Sequence, residues 1–300
     1  MEEGRDDWWN RDFVELMGRR LRLHECRTVL DCGCGRGHWS RALSHTLPAD
    51  AEVVGVDREA TWIADAEEIA RRAALPGCFR YQQASVEELP FDDGRFDLVT
   101  CQTLLIHVPA PQRVLKEMLR VLKPQGLVLA AEPNNLGQCL RWNSLTVREC
   151  LEKDGGVDNL LRLVRFHVLC ERGKHALGEG LGSVGDLLPG YFAELGLDEI
   201  QVFQSDKGAA LFPPYVSPGQ RAEVSDMRKA IDEGRYIWRE DEARRYFLAG
   251  GGDESEFSQF WQWAMGENAR VREALAGGQF YTAGGFTLYL VSGRKAGPRS

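Results

Sequence analysis

The feature that most constrains the fold is an alternation of strand-like and helix-like segments between residues 27 and 131. Short apolar and β-branched runs predict strands at residues 27–31, 52–57, 78–83, 96–101 and 127–131. Stretches with apolar residues at helical spacing lie between several of them, at residues 39–47, 59–73 and 111–122. This alternation is typical of a mostly parallel sheet covered by helices on both faces, so the sequence predicts an α/β fold.

The alternation fails after residue 135, which indicates insertions into the core. We expect five segments: a core with an N-terminal helix, a helical insertion, a core helix and strand, a second helical insertion, and a final core strand with a tail. Their boundaries are residues 1–135, 136–181, 182–212, 213–276 and 277–300. Because ligands of open parallel sheets bind at the carboxyl ends of the strands, we expect the two insertions to form a lid over that edge.

The strongest functional signal is a strand that runs directly into a glycine-rich turn. Asp31 ends the strand and Cys32 follows it; Gly33, Gly35 and Gly37 then come at alternate positions, and a helix begins close behind them. Glycines let the backbone pass close to a ligand and permit positive φ angles. Alone, this pattern also fits a plain tight turn or the phosphate-binding turn of a dinucleotide site.

Two carboxylates narrow the choice of ligand. Asp31 places a negative charge at the strand end, where it would repel a pyrophosphate but attract an ammonium or a sulfonium. Asp57 ends the next predicted strand about 20 residues after the glycines, where a carboxylate can accept hydrogen bonds from both ribose hydroxyls. Together they favour a positively charged adenosyl ligand over NAD.

With these residues the chain resembles the class I S-adenosylmethionine-dependent methyltransferases. The resemblance covers residues 29–132 and includes residues 83–99, which are similar to the adenine-proximal loop and fourth strand of that family. It implies a Rossmann-like, mostly parallel, seven-stranded sheet with helices on both faces. It also implies S-adenosyl-L-methionine as the cofactor, with Asp31, Cys32 and the glycine turn at its methionine part and Asp57 at its ribose.

The resemblance extends, with one departure, to the adenine end of the cofactor. Where the family often has an aspartate that bonds the adenine amino group, this chain has Ser85, whose hydroxyl can still donate or accept. The backbone N–H of Val86 is expected to contact an adenine ring nitrogen. Arg58 and Trp62 either cover the adenine face or serve plain packing and solvent exposure.

Three further residues are predicted near the methyl group. Gln102 follows the fourth strand and is expected beside the cofactor. His107 is a candidate general base, because its ordinary pKa suits proton abstraction, although a structural or merely lining role is open. Glu132 follows the fifth strand and is expected either to orient the substrate or to cap the next helix.

The insertions supply candidate residues for the methyl acceptor. Arg162 and Arg165 can pair with a carboxylate or phosphate, and Trp238 can wall an apolar cavity. We expect a small molecule or a peptide end, with O-methylation favoured. The alternatives are an NAD(P)-dependent oxidoreductase, against which Asp31 argues, and a non-catalytic S-adenosylmethionine-binding module, which only turnover excludes.

Charge and composition argue against nucleic acid, a membrane or a metal as a partner of this chain. The net charge of −8 disfavours a general nucleic-acid binder, because neutralising phosphates needs a basic face. No apolar run reaches the roughly 20 residues of a membrane span, and the acidic N-terminus lacks the order of a secretory signal. The eight cysteines show no metal-ligand spacing. We therefore expect a cytoplasmic protein without a membrane partner, with mostly reduced cysteines and no metal.

Overall fold

The computed structural model describes residues 8–73, 75–138, 143–152, 154–206, 208, 210–284 and 287–297. The described chain divides into two compact units. The sheet unit contains residues 8–134, 183–206 and 288–297, and the helical unit contains residues 135–182 and 208–287, with the gaps just given.

Seven strands form the sheet among the described residues. They are β1 (Thr28–Cys32), β2 (Glu52–Asp57), β3 (Cys78–Gln83), β4 (Phe96–Gln102), β5 (Leu122–Pro133), β6 (Leu197–Gln204) and β7 (Leu288–Lys295). Their order is β3-β2-β1-β4-β5-β7-β6, and every pair is parallel except the two that involve β7. The predicted mostly parallel, seven-stranded, Rossmann-like sheet is confirmed.

The helices of the described chain are numbered along both units. They are α1 (Arg11–Arg20), α2 (His38–Leu43), α3 (Ala60–Ala73), α4 (Pro111–Val121), α5 (Asn135–Gln138), α6 (Ser144–Glu152), α7 (Gly156–Ala176), α8 (Leu188–Glu194), α9 (Pro218–Asp232), α10 (Glu240–Ala249) and α11 (Glu254–Ala276). None of them combines the length and the apolarity needed to cross a bilayer.

Helix α4 shows how the sequence pattern becomes packing. Proline at its first position has no N–H to lose there and a backbone angle suited to a helix. Its apolar stripe, Val114, Leu115, Met118 and Val121, is completely buried against the sheet. Strand β5 then begins at Leu122, five residues earlier than predicted, because an irregularity opposite Phe96 and Leu98 accommodates residues 123–126 within the strand.

The register of the strands gathers one set of strand ends at one edge of the sheet. Cys32 lies opposite Val56 on one side and Cys101 on the other, and Gln102 lies opposite Ala131. Asp31, Asp57, Gln102 and Glu132 therefore come from four neighbouring parallel strands at their carboxyl ends, although they lie far apart in the chain.

The helical unit is built around close contact of α7 with α10 and an aromatic cluster. A Cβ at Gly173 or Gly250 would overlap a carbonyl of the facing segment, so glycine lets the two backbones touch. Phe166 stacks on Phe260 with their ring centroids 3.8 Å apart. The second insertion is wider than the predicted 213–276, because Leu211 and Thr282 pair in an antiparallel bridge that includes both flanks in this unit.

Candidate active site

The turn after β1 is shaped by three glycines with left-handed backbone angles. Their φ values are 64° at Gly33, 51° at Gly35 and 76° at Gly37, a region that side chains disfavour. A Cβ at Gly33 would lie 2.6 Å from Leu104 Cδ1, and one at Gly37 would lie 2.6 Å from the hydroxyl oxygen of Tyr81. At Gly35 the nearest atom is 3.9 Å away. Only Gly35 therefore faces open space, on the side where a ligand can approach.

Asp31 is a buried carboxylate with one oxygen left without a partner. The side chain has no exposed surface, and the Ser40 N–H donates to Oδ2 at 3.2 Å. No described residue makes a hydrogen bond to the buried Oδ1. Burial raises the pKa of Asp31 to about 7, because removal from water penalises the charged form. An unsatisfied buried acceptor of this kind is stabilised by a cation.

Asp57 ties the end of β2 to the glycine turn. The Gly35 N–H donates to Oδ2 at 2.9 Å, and the Glu59 N–H donates to Oδ1 at 3.0 Å. The side chain is almost completely buried. A carboxylate has about four lone-pair directions, so two backbone donors leave acceptor capacity for ligand hydroxyls. Asp57 thus shapes the turn, and its contact with the ribose stays a prediction.

The residues predicted to lie near the adenine are Trp62, Arg58 and Ser85, and all three are exposed. Trp62 on α3 is 46% exposed, and its Cε3 is the atom nearest to the open side of Gly35. Arg58 is exposed and pairs with Glu59 at 3.4 Å. Strand β3 ends opposite Asp57, and Ser85 follows two residues after that end. Ser85 is exposed, and its hydroxyl accepts the Glu87 N–H at 3.2 Å.

Two neighbouring candidates are buried. The Val86 side chain lies in the sheet core, and burial raises the pKa of the Cys32 thiol well above its ordinary value. The side chain of Val86 therefore packs inward, and only its backbone remains as the predicted adenine contact.

A comparison with known protein families assigns the strands and the glycine turn to a family. Residues 30–130 match the family model described as "Methyltransferase domain". Those residues contain β1, the glycine turn, Asp57 and most of β5. They form a class I S-adenosylmethionine-dependent methyltransferase domain.

Two of the curated relatives that match the methyltransferase domain are named as enzymes of quinone biosynthesis. The chain is 36% identical over 124 residues to a ubiquinone/menaquinone biosynthesis C-methyltransferase of Idiomarina loihiensis, which is 41% of this chain and 48% of the relative. It is 37% identical over 131 residues to a ubiquinone biosynthesis O-methyltransferase of Coxiella burnetii, 40% of this chain and 54% of that one. The chain spans about half the length of these relatives.

Solved structures match over nearly the whole chain at low identity. A putative methyltransferase from Bacillus halodurans superimposes with a TM-score of 0.52 at 18% identity, covering 96% of this chain and 99% of that one. The [4+2]-cyclase SpnF superimposes with a TM-score of 0.50 at 17% identity, covering 96% and 81%. At such identities the likeness shows the fold alone, and the two names differ in activity.

The residues of the methyltransferase domain fit S-adenosylmethionine. The unpaired Oδ1 of Asp31 offers a buried negative charge to a cationic ligand, whereas a pyrophosphate there would meet a carboxylate. Gly35 leaves an open approach, and the exposed indole of Trp62 lies beside it. A planar ring exposed next to a glycine turn suits contact with an adenosyl group.

The loop after β4 in the methyltransferase domain is held in an unusual backbone conformation. Gln102 is the last residue of β4 and is partly exposed. Thr103 adopts a left-handed φ of 49° and donates its N–H to Ala131 O at 2.9 Å. A short 3₁₀ turn, Leu105–His107, follows, and the His107 side chain is exposed at its end. The predicted role of His107 as a general base stays a prediction.

Glu132 does something different from either role predicted for it. Its side chain is completely buried, and its Oε1 accepts the N–H groups of Leu104 at 2.9 Å and Leu105 at 2.8 Å. The expectation that it faces the acceptor or caps the next helix is therefore wrong. The 3₁₀ turn after Leu104 has no side-chain cap of its own, so a carboxylate from the neighbouring strand supplies the acceptor.

Two residues of the site were missed in the sequence. The ring of Tyr81, the buried position of β3, packs against Gly37 and Gly55. Leu104 packs against Gly33. Tyr81 stands alone between the polar residues Arg80 and Gln82, and Leu104 begins a short apolar run that ends at Ile106. Neither pattern reveals the glycine that the side chain contacts.

The helical unit contains the predicted acceptor residues. Arg162 and Arg165 are exposed on α7, and Arg165 forms a two-pronged ion pair with Glu256. Trp238 lies in the aromatic cluster, with its ring centroid 5.7 Å from that of Tyr246. Trp238 therefore packs within its own unit, and the charge of Arg165 is already partnered.

Proposed function

We propose that the whole protein transfers a methyl group from S-adenosylmethionine to a small molecule. One observation supports this most directly: the buried Asp31 carboxylate, with Oδ1 unpaired, lies behind a glycine turn in a methyltransferase domain. That arrangement suits a ligand that carries positive charge. The same carboxylate would repel the pyrophosphate of a nicotinamide dinucleotide, which would bind at the same turn.

The residues of this chain contribute mainly by holding and orienting. When bound, the cofactor would supply a methyl group on a sulfonium, so that a nucleophile in line can bond to the methyl carbon while the sulfur leaves as a neutral thioether. Asp31 offers its charge to the cationic end, and Asp57 keeps Gly35 in place while offering its remaining lone pairs to hydroxyls. Because orientation and exclusion of water account for much of the rate of such reactions, a dedicated base is optional. His107 is our candidate where the acceptor must lose a proton.

The chemistry of the acceptor is the finer part of the proposal. The matched relatives include both a C-methyltransferase and an O-methyltransferase of quinone biosynthesis. We propose a small, ring-containing acceptor such as a hydroxylated aromatic compound. Oxygen is favoured as the acceptor atom, carbon is the alternative, and a peptide end remains a second acceptor class to assay.

We also propose that the helical unit selects the acceptor. Among the described residues no carboxylate forms an ion pair with Arg162, so Arg162 is a better candidate than Arg165 for an anionic group of the acceptor. Trp238 contributes apolar surface next to Phe166. Arg162→Ala and Trp238→Ala are expected to bind S-adenosylhomocysteine normally while turnover falls tenfold or more, about 1.4 kcal/mol of transition-state stabilisation.

Arg165→Ala is the matched control for Arg162→Ala, because it removes a guanidinium from the same helix that is already paired with Glu256. Normal turnover in folded Arg162→Ala and Trp238→Ala proteins would show that these side chains do not shape the acceptor site.

The function is tested first by binding and then by turnover. Calorimetry is expected to show saturable binding of S-adenosylmethionine and S-adenosylhomocysteine and none of NADH. Mass spectrometry then follows a gain of one methyl group in a panel of hydroxylated aromatic compounds and short peptides. Binding of NADH without either adenosyl ligand would favour an oxidoreductase. Adenosyl binding without turnover across the panel would favour a non-catalytic binding module.

A further inference from the structure

A chain of three contacts connects β5 to the glycine turn. The Glu132 carboxylate accepts the Leu104 N–H at 2.9 Å and the Leu105 N–H at 2.8 Å. The Leu104 side chain lies against Gly33, where an added Cβ would be 2.6 Å from Cδ1 and 3.2 Å from Leu104 Cβ. One carboxylate thus holds the backbone of the loop whose side chain closes one wall of the turn.

The loop supplies one backbone hydrogen bond of its own, from the His107 N–H to Leu104 O at 2.9 Å, which leaves the Leu104 and Leu105 N–H groups without an acceptor in the loop. Thr103 is in the left-handed region, which disfavours a β-branched side chain, and its N–H donates to Ala131 O on β5. The following 3₁₀ turn begins at Leu104, which has no polar atom in its side chain to cap it. An outside acceptor is therefore needed to satisfy the two free amides.

A carboxylate is a costly way to fill this position. Glu132 is completely buried, and no described residue makes a hydrogen bond to its Oε2. The Cys101 thiol makes a long contact with Oε1 at 3.7 Å. If the position served only to fill the core, an apolar side chain of similar volume would avoid the cost of burying a charge.

We infer that Glu132 is a positioning residue of the cofactor site, holding the loop from Gln102 to His107 so that Leu104 closes the wall of the turn at Gly33. This inference rests on the proposed function, because it assumes that the turn binds an adenosyl cofactor. It predicts that cofactor affinity depends on the hydrogen-bonding atom of Glu132 and not only on the space that its side chain fills.

The test compares three variants for S-adenosylhomocysteine affinity by calorimetry and for stability by urea unfolding. Glu132→Ala removes the acceptor, and we expect binding at least tenfold weaker, about 1.4 kcal/mol. Glu132→Gln keeps an oxygen acceptor, and we expect affinity within threefold of the original protein. Thr100→Val is the control for loss of a buried polar group on the neighbouring strand β4, where Thr100 accepts the indole N–H of Trp39 at 2.7 Å. It should lose stability and keep its affinity.

Amide hydrogen exchange separates positioning from general loosening. Faster exchange at Leu104 and Leu105 is expected in Glu132→Ala but not in Thr100→Val. If Glu132→Ala does not fold, Glu132→Asp decides, because its carboxylate retreats by one methylene while keeping its charge. Binding by Glu132→Asp should then be at least threefold weaker.

The outcomes distinguish this inference from the proposed function. If the unaltered protein fails to bind S-adenosylhomocysteine, the proposed function itself is wrong. If the unaltered protein binds it and folded Glu132→Ala or Glu132→Asp binds equally well, Glu132 does not position the site. Equal losses of affinity in Thr100→Val would likewise overturn the inference.

Discussion

Replacing Gly35 with alanine should impair cofactor binding far more than it impairs folding. The φ of 51° at Gly35 costs an alanine about 1–2 kcal/mol, because the left-handed region crowds its Cβ. No further steric cost is expected, since the nearest atom, Trp62 Cε3, would be 3.9 Å away, an ordinary contact distance. The added methyl group would instead occupy the open side of the turn. We expect S-adenosylhomocysteine to bind at least tenfold more weakly, about 1.4 kcal/mol.

Gly94→Ala is a matched control for this change. Gly94 has a φ of 64°, and its nearest atoms to an added Cβ are also 3.9 Å away. It precedes β4 and so lies at the edge of the sheet opposite the glycine turn. Urea unfolding should show similar stability losses in both variants, and calorimetry should show weaker binding only in Gly35→Ala.

Gly37→Ala should lose more stability in urea unfolding than either Gly35→Ala or Gly94→Ala. Overlap with the Tyr81 hydroxyl at 2.6 Å adds an overpacking cost of roughly 1–3 kcal/mol to the same backbone strain.

If Gly35→Ala binds S-adenosylhomocysteine as tightly as Gly94→Ala does, the open side of Gly35 is not where the cofactor lies.

Three further predictions concern charge and proton transfer. In the ligand-free folded protein the pKa of the Asp31 carboxyl is raised from 3.8 to about 7, so between these two pH values the folded protein keeps a proton that the unfolded chain loses. The contribution of Asp31 to stability is therefore fully present below about pH 4 and is lost as pH rises through 7, a change on the order of 4 kcal/mol. Above pH 7, or with a cationic ligand beside it, the carboxylate is charged. Urea unfolding should show a weaker fall between pH 5 and 8 in Asp31→Asn, and an equal slope would refute this reasoning. Asp57→Ala should weaken S-adenosylhomocysteine binding by about 1–3 kcal/mol in calorimetry, because a charged acceptor is lost from ligand hydroxyls; unchanged affinity in folded protein would remove the ribose role. His107→Gln should lower turnover tenfold or more on acceptors that must lose a proton, with unchanged cofactor affinity, and normal turnover would leave His107 without a catalytic role.

Local patterns in the sequence were sufficient for the fold and for placing Asp31, the glycine turn and Asp57 at one edge of the sheet. The five strands predicted between residues 27 and 131 each correspond to a strand of the sheet. The signal is strongest in β1, β2, β4 and β5, because a buried parallel strand is a nearly continuous apolar run. Asp31, the glycines and Asp57 could be assigned to one place because the carboxyl ends of neighbouring parallel strands share an edge. That rule needs only the order of elements along the chain.

The tertiary structure alone decided the contacts between distant segments. Glu132 lies on β5 and Leu104 lies in the loop after β4, so only the register of β4 with β5 brings them together. No local pattern could show that the carboxylate holds this loop. The contact of Tyr81 with Gly37 likewise depends on how β3 packs beside the turn. The raised pKa of Asp31 depends on complete burial, which many segments produce together. Sequence periodicity reports which face of an element is apolar, whereas the identity of the partner on that face is set by packing across the whole fold.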